Sequence, residues 1–291
     1  MRLRRLAREH RGSLVVLLVL SLSACLLVAG LPRALQASYD EALRRVLGEA
    51  AATQADLAVT VESRSRADDV RERAQFDARD RLWNATVPAR LRPVIGADGH
   101  MSAKTMDNPV TAAYGQEFLN LGWLSDAGRR VDWVRGRPPG AAATTRHAGR
   151  TIPVFEAGIV EEALTRMDLR LGGTTLVGEG GRAAVRIVGV FRAKDPGDRY
   201  WQHNADVLHV QRPQPLQKHI TALISDAGLG ALSGEQYALT YRWILPVDAR
   251  AATAEAAPGL HAAVAEFGRA VALYSPGTAC PYHVQTGLPR L

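Results

Sequence analysis

Gly12 to Leu31 (GSLVVLLVLSLSACLLVAGL) is an unbroken run of 20 residues without a charge. An α-helix rises about 1.5 Å per residue, so the run covers about 30 Å, the thickness of a bilayer's hydrocarbon core. Past Pro32 the pattern changes. Leu35, Tyr39, Leu43 and Leu47 recur at every fourth position, with Arg33, Asp40, Glu41, Arg44 and Arg45 between them. That period predicts an amphipathic stalk helix over 32–55, continuous with the membrane span except for a kink or restart at Pro32.

Shorter patterns follow. Asp56–Ser63 (DLAVTVES) alternates Leu57, Val59 and Val61 with polar residues, the mark of a half-buried strand. Residues 62–81 hold six acids and six arginines, with Asp69/Arg73 and Asp77/Arg81 spaced i,i+4, which predicts a solvated helix. Arg129–Arg137 (RRVDWVRGR) alternates again and ends in a Pro-Pro-Gly turn and an Ala/Thr-rich loop reaching residue 150. Glu156–Met167 reads as a helix with Ile159, Val160, Ala163, Leu164 and Met167 on one face. Leu169–Val177 and Ala184–Phe191 read as strands joined by a turn at Gly178, Glu179, Gly180 and Gly181. From Pro258, the spacing of Leu260, Val264, Phe267 and Val271 predicts a last amphipathic helix. The predicted fold class is α+β. One N-terminal transmembrane helix (12–31) and its stalk (32–55) precede a mixed α/β extracytoplasmic domain (56–291) with βαβ-type and β-rich subdomains; residues 1–11 form a basic tail.

Charge gives the span its direction. Arg2, Arg4, Arg5, Arg8 and Arg11 oppose Glu9 alone, so the tail carries four of the chain's seven net positive charges. By the positive-inside bias the tail is cytoplasmic in a bacterial cell membrane, and the main domain lies outside. The rest of the chain is too evenly charged to suggest a nucleic-acid partner. The expected partner of the apolar run is the lipid bilayer. Two cysteines, Cys25 and Cys280, exclude a disulfide scaffold. Leu22-Ser23-Ala24-Cys25 resembles the lipobox of bacterial lipoproteins, which would make Cys25 a lipidation site. Against that, six more apolar residues follow Cys25 before Pro32, and the run exceeds the apolar stretch of a cleaved signal.

Chemistry-bearing motifs are sparse. The glycines at 178–181 are spaced for a hairpin turn, and no phosphate-binding loop surrounds any of the three lysines, Lys104, Lys194 and Lys218. Leu232-Ser233-Gly234-Glu235-Gln236 matches the signature peptide of ABC ATPases, but no Walker A lysine accompanies it. His203, Asp206 and His209 are the closest potential ligand set, with a poor metal spacing. Asp68 and Asp69 are adjacent and so do not face each other on a helix. No nucleophile motif appears. The sequence thus predicts no catalytic residues, cofactor or metal, and no enzyme.

Four stretches together carry a resemblance. Val131–Pro139 (VDWVRGRPP), Ala157–Leu176 (AGIVEEALTRMDLRLGGTTL), Val185–Trp201 (VRIVGVFRAKDPGDRYW) and 237–248 (YALTYRWILPVD) resemble the MacB-like periplasmic core domain of FtsX-like ABC transporter permeases, in its actinobacterial form. The resemblance implies a permease-type subunit, or a truncated or split permease. It implies a cytoplasmic ABC ATPase as partner, together with a permease membrane half or a second permease copy supplying the three later spans. The ectodomain would then couple ATP hydrolysis to an extracytoplasmic substrate or protein, with the stalk at Pro32, Leu35, Tyr39, Leu43 and Leu47 as the connection. Within the third stretch, Asp195, Asp198, Tyr200 and Trp201 form either a partner-contact lip or a turn whose aromatics cap the core. The alternative function is a membrane-anchored binding or signalling lipoprotein held through Cys25.

Overall fold

The computed structural model describes residues 11–64, 70–106, 108–113, 116–232, 238–274 and 281–288. Most of the basic tail, the adjacent acids at 68–69, most of the signature-like peptide and Cys280 lie outside the described residues.

The apolar run and the stalk form one helix, α1 (Arg11–Glu49), of 39 residues with Pro32 inside it. The expected restart at Pro32 does not occur. A proline removes one amide donor from the ladder, and the good helix formers on both sides of this one carry the helix past it. At about 1.5 Å per residue, α1 is about 58 Å long, roughly twice a bilayer core. It is the one described helix long and apolar enough to cross a membrane, and none of its apolar window is buried against the protein.

The remaining elements run α2 (Ala52–Ala55), β1 (Leu57–Arg64), α3 (Arg73–Thr86), β2 (His100–Thr105), β3 (Glu117–Leu124), α4 (Ala127–Arg130), β4 (Val131–Gly136), β5 (Ala143–His147) and β6 (Arg150–Val160). These are followed by α5 (Glu161–Arg166), β7 (Thr174–Val177), β8 (Ala183–Ala193), α6 (Arg199–Gln202), β9 (Lys218–Leu223), α7 (Asp226–Leu232), β10 (Ala238–Leu245), α8 (Ala257–Leu273) and β11 (His283–Gln285). The strands join one mixed sheet in the order β11-β1-β10-β2-β3-β9-β6-β8-β4, with β5 paired to β6 and β7 to β8. β3 runs parallel to β9 and β6 parallel to β8, with α5 on the crossover between the latter pair. The fold is mixed α+β.

Three expectations need correction. The helix over Glu156–Met167 is strand β6 as far as Val160, and only 161–166 are helical. Phe155, Ala157 and Ile159 alternate into the core and pair with β8, so a period of two prevails over the helical spacing. The Ala/Thr-rich loop holds β5, closed onto β6 by a tight turn in which Ala148 and Gly149 have φ of 49° and 79°. The charged stretch 62–81 splits. β1 runs to Arg64, and α3 begins at Arg73 behind a reciprocal cap between Glu72 and Gln75. Within α3, Arg73 and Asp77 make the i,i+4 pair, at 4.0 Å.

The register gives the central strands two unlike faces. Val59, Trp243, Ala103 and Trp123 turn to one side, where α3 places Phe76 4.5 Å from the Trp123 ring and 5.4 Å from the Trp243 ring. Phe267 and Val271 of α8 complete that core. The other face is polar. Thr60, Arg242 and Ser102 are consecutive partners across β1, β10 and β2; Thr240 pairs with Lys104, Ile244 with His100, and Asn120 with Thr221. A strap from Asp195 to Gln211 lies across this face. Trp133 joins two of the stretches in the resemblance, since a Cβ on Gly158 or Gly189 would stand 2.4 or 2.7 Å from its ring.

Candidate functional site

The stalk ends where the strap crosses the polar face. Leu47 is only 5 % exposed and belongs to the core, and Leu43 packs against it. On the same helical side, the Asp40 carboxylate accepts the Ala254 amide at 2.8 Å. Tyr39 and Leu35, about one and two turns nearer the apolar run than Leu43, are exposed, Tyr39 by 60 %. The four stalk positions therefore divide: two dock on the domain and two do not. Pro32 is exposed.

Beyond α1 the strap grips the chain directly. The Gln202 side-chain oxygen accepts the Ala52 amide at 2.7 Å, and Arg199 donates to the Ala50 carbonyl and to Asp56, each at 3.3 Å. Asp56 is 3 % exposed. Its other partners are the Val247 amide at 3.0 Å and His203 Nε2 at 2.9 Å. One buried carboxylate thus joins the start of β1, the end of β10 and the strap. Such a charge is tolerable inside because a guanidinium, an imidazole and an amide surround it.

His100, the first residue of β2, completes the cluster. Its ring centroid is 4.6 Å from Tyr200 and 5.7 Å from His203. Its Nε2 is buried with no hydrogen-bond partner among the described residues. Burial, and then the neighbouring His203, push the His100 pKa down to about 3, so the ring is neutral near pH 7. Tyr200 donates to the Ser125 carbonyl at 2.8 Å, and burial raises its pKa. Arg130 lies over the Tyr200 ring, 4.3 Å from its centroid, and is ion-paired to Asp198.

The four strap residues singled out in the sequence fall into two kinds. Asp195 and Asp198 build the turn: Asp195 accepts the Gly197 amide at 2.9 Å, and Asp198 caps α6 by accepting the Tyr200 amide at 2.9 Å. Tyr200 and Trp201 are interior, Trp201 being 2 % exposed among Val131, Phe191, Val207 and Leu208. Trp201 also donates to the Asp195 carbonyl at 3.1 Å. The aromatics therefore offer no exposed lip, because the turn that Asp198 caps folds them inward.

A cleft of about 430 Å³ opens beside this cluster, lined by Asp98, His100, Arg130, Arg199, Asp248 and Arg250 among others. Its charges are of mixed sign and largely paired to one another. The potential ligand set is dispersed: His203 goes to Asp56, Asp206 to Lys104 at 3.0 Å, and His209 faces Glu162 at 3.5 Å. Among the described residues no three His, Cys, Asp or Glu side chains are placed to share a metal ion. Cys25 is exposed, in the second half of the apolar run of α1.

Asp56, His100, Arg130 and Arg199 were not legible as a group in the sequence. Asp56 and His203 are 147 residues apart, and neither lies in a recognisable motif. What the cluster can do is mechanical: it fixes the end of a long helix to three separate elements of the domain.

No family model, curated protein or solved structure matches the chain.

Proposed function

We propose that this protein is a single-span, permease-type subunit of an ABC transporter. Its domain, outside the cytoplasm, takes up movement originating at a partner's cytoplasmic ATPase. The observation that carries the reading is the unbroken helix α1, whose apolar half is bare and whose last turns are built into the domain's core. A bilayer covers about 30 Å of such a helix, and the remaining length reaches the strap as a stiff rod. Coupling of this kind needs a rigid connection and a domain whose contacts can exchange between two arrangements. The ion-paired strap at Asp56 supplies those contacts. The chain performs no covalent chemistry in this account. Orientation follows from the arginine-rich tail, which favours a cytoplasmic N-terminus.

A photo-reactive residue at Leu18 or Leu26, both exposed on α1, tests the assignment in native membranes. Cross-linking to a multi-span permease half or a second permease copy, recovered together with an ABC ATPase, is the expected result. A mature chain that begins at a lipidated Cys25 would instead establish the anchored binding lipoprotein, because cleavage there removes Gly12–Ala24, most of the apolar run.

A further inference from the structure

Further along the polar face, three positive side chains meet with one carboxylate between them. Lys104 and Thr240 are register partners, and Arg242 follows two residues along β10 on the same face. Asp206, from the strap, accepts Lys104 on both oxygens at 3.1 and 3.0 Å and the Thr221 hydroxyl at 2.5 Å. Its lone pairs are largely taken. Arg242 donates to the His203 carbonyl at 3.2 Å, and its Nε is buried without a hydrogen-bond partner among the described residues. Burial lowers the Arg242 pKa, and Asp206 is the acid that opposes the shift. A cation held out of water without its own counter-charge is costly, and an incoming anion removes that cost.

These groups line a cleft of about 400 Å³, together with the exposed Arg212 and the polar side chains of Asn120 and Thr240. Lys104, Arg212 and Arg242 against Asp206 leave an excess of two positive charges. We infer that this cleft binds a phosphate group, carried by a small phosphate ester or by a lipid headgroup. Guanidinium groups present paired donors that match phosphate oxygens, and the amide and hydroxyl offer further hydrogen bonds. The volume leaves room for an organic portion beside the phosphate. This site is separate from the stalk foot, and the inference stands whether or not the chain is a permease subunit.

Calorimetry on the full chain in neutral detergent micelles, with glycerol 3-phosphate as titrant, tests it. Saturable one-site binding is expected, and Arg242→Gln should weaken it by about tenfold or more, the equivalent of about 1.4 kcal/mol. Arg212→Gln, at an exposed position that folding does not need, should weaken it several-fold and guards against a folding failure of the first variant. A second arm replaces the titrant with phosphatidylglycerol doped into the micelles. Variant-sensitive binding in that arm alone identifies a lipid headgroup as the source, and in the first arm a soluble ester. Absence of binding in both arms, or binding that neither variant weakens, overturns the inference.

Discussion

Asp56 and His203 lie 147 residues apart in the chain, yet the carboxylate and imidazole meet at 2.9 Å beneath the end of α1. Arg199 reaches the same carboxylate and the Ala50 carbonyl, so the strap holds both the last residues of the stalk and the first strand of the domain. Everything proposed about coupling depends on this knot and on Leu47 below it.

Asp56→Ala should therefore be severe. It strips the partner from a buried imidazole and from Arg199, and leaves the Val247 amide unpaired. Breaking one side of a buried ion pair costs about 3–5 kcal/mol. Thermal unfolding followed by circular dichroism should show a large drop in the midpoint. A drop comparable to that of a surface substitution would mean that the knot contributes little.

Acid should loosen the same region. The His100 pKa falls from 6.5 to about 3 on folding, so between those values the unfolded chain binds more protons than the folded one. Stability is then full above about pH 6.5 and declines as pH falls towards 3. Asp56, His203, Arg130, Asp198 and Tyr200 are the ionisable groups facing the ring. Unfolding midpoints measured from pH 8 to 4 should fall for the natural protein and fall less for His100→Leu. Identical slopes would remove His100 as the source.

Trp201→Ala separates the two readings of the strap. The indole is interior, so its removal should cost about 3–5 kcal/mol and disrupt folding. Intact folding with loss of a binding partner would restore the idea of an interaction lip.

The stalk positions should behave unequally although the sequence pattern treats them alike. Leu47→Ala removes a core side chain and should cost about 2–4 kcal/mol. Leu35→Ala alters an exposed position and should stay within about 0.5 kcal/mol in detergent. Equal effects would contradict the docking described for the lower stalk.

Much of this fold was legible from pattern alone, and the reasons for success and failure are physical. The apolar run, strand β1, the Gly178–Gly181 turn and helix α8 each carry a local signal long or distinctive enough to stand alone. Glu156–Val160 misled because a short apolar run fits both periods, and only pairing with β8 decides between them. At Pro32 the pattern allowed a kink or a restart, and the restart does not occur because one lost hydrogen bond is a smaller penalty than ending the helix there. The site was less legible. Asp195, Asp198, Tyr200 and Trp201 stood out as a turn, but their partners Ser125, Arg130 and Val131 come from elsewhere in the chain. The polar face needs the register of β10 against β2 before His100, Lys104 and Arg242 fall on one side.

The most direct test of the coupling is a distance measurement across the junction. Spin labels at exposed positions, one replacing Tyr39 on α1 and one replacing Glu255 in the domain, would be introduced after Cys25 and Cys280 are changed to serine, in lipid nanodiscs. The account predicts a single narrow distance distribution that broadens when Leu47→Ala and Asp40→Ala are combined. A broad distribution in the protein with Leu47 and Asp40 intact would mean that the domain swings freely on its anchor, and the coupling role would fall.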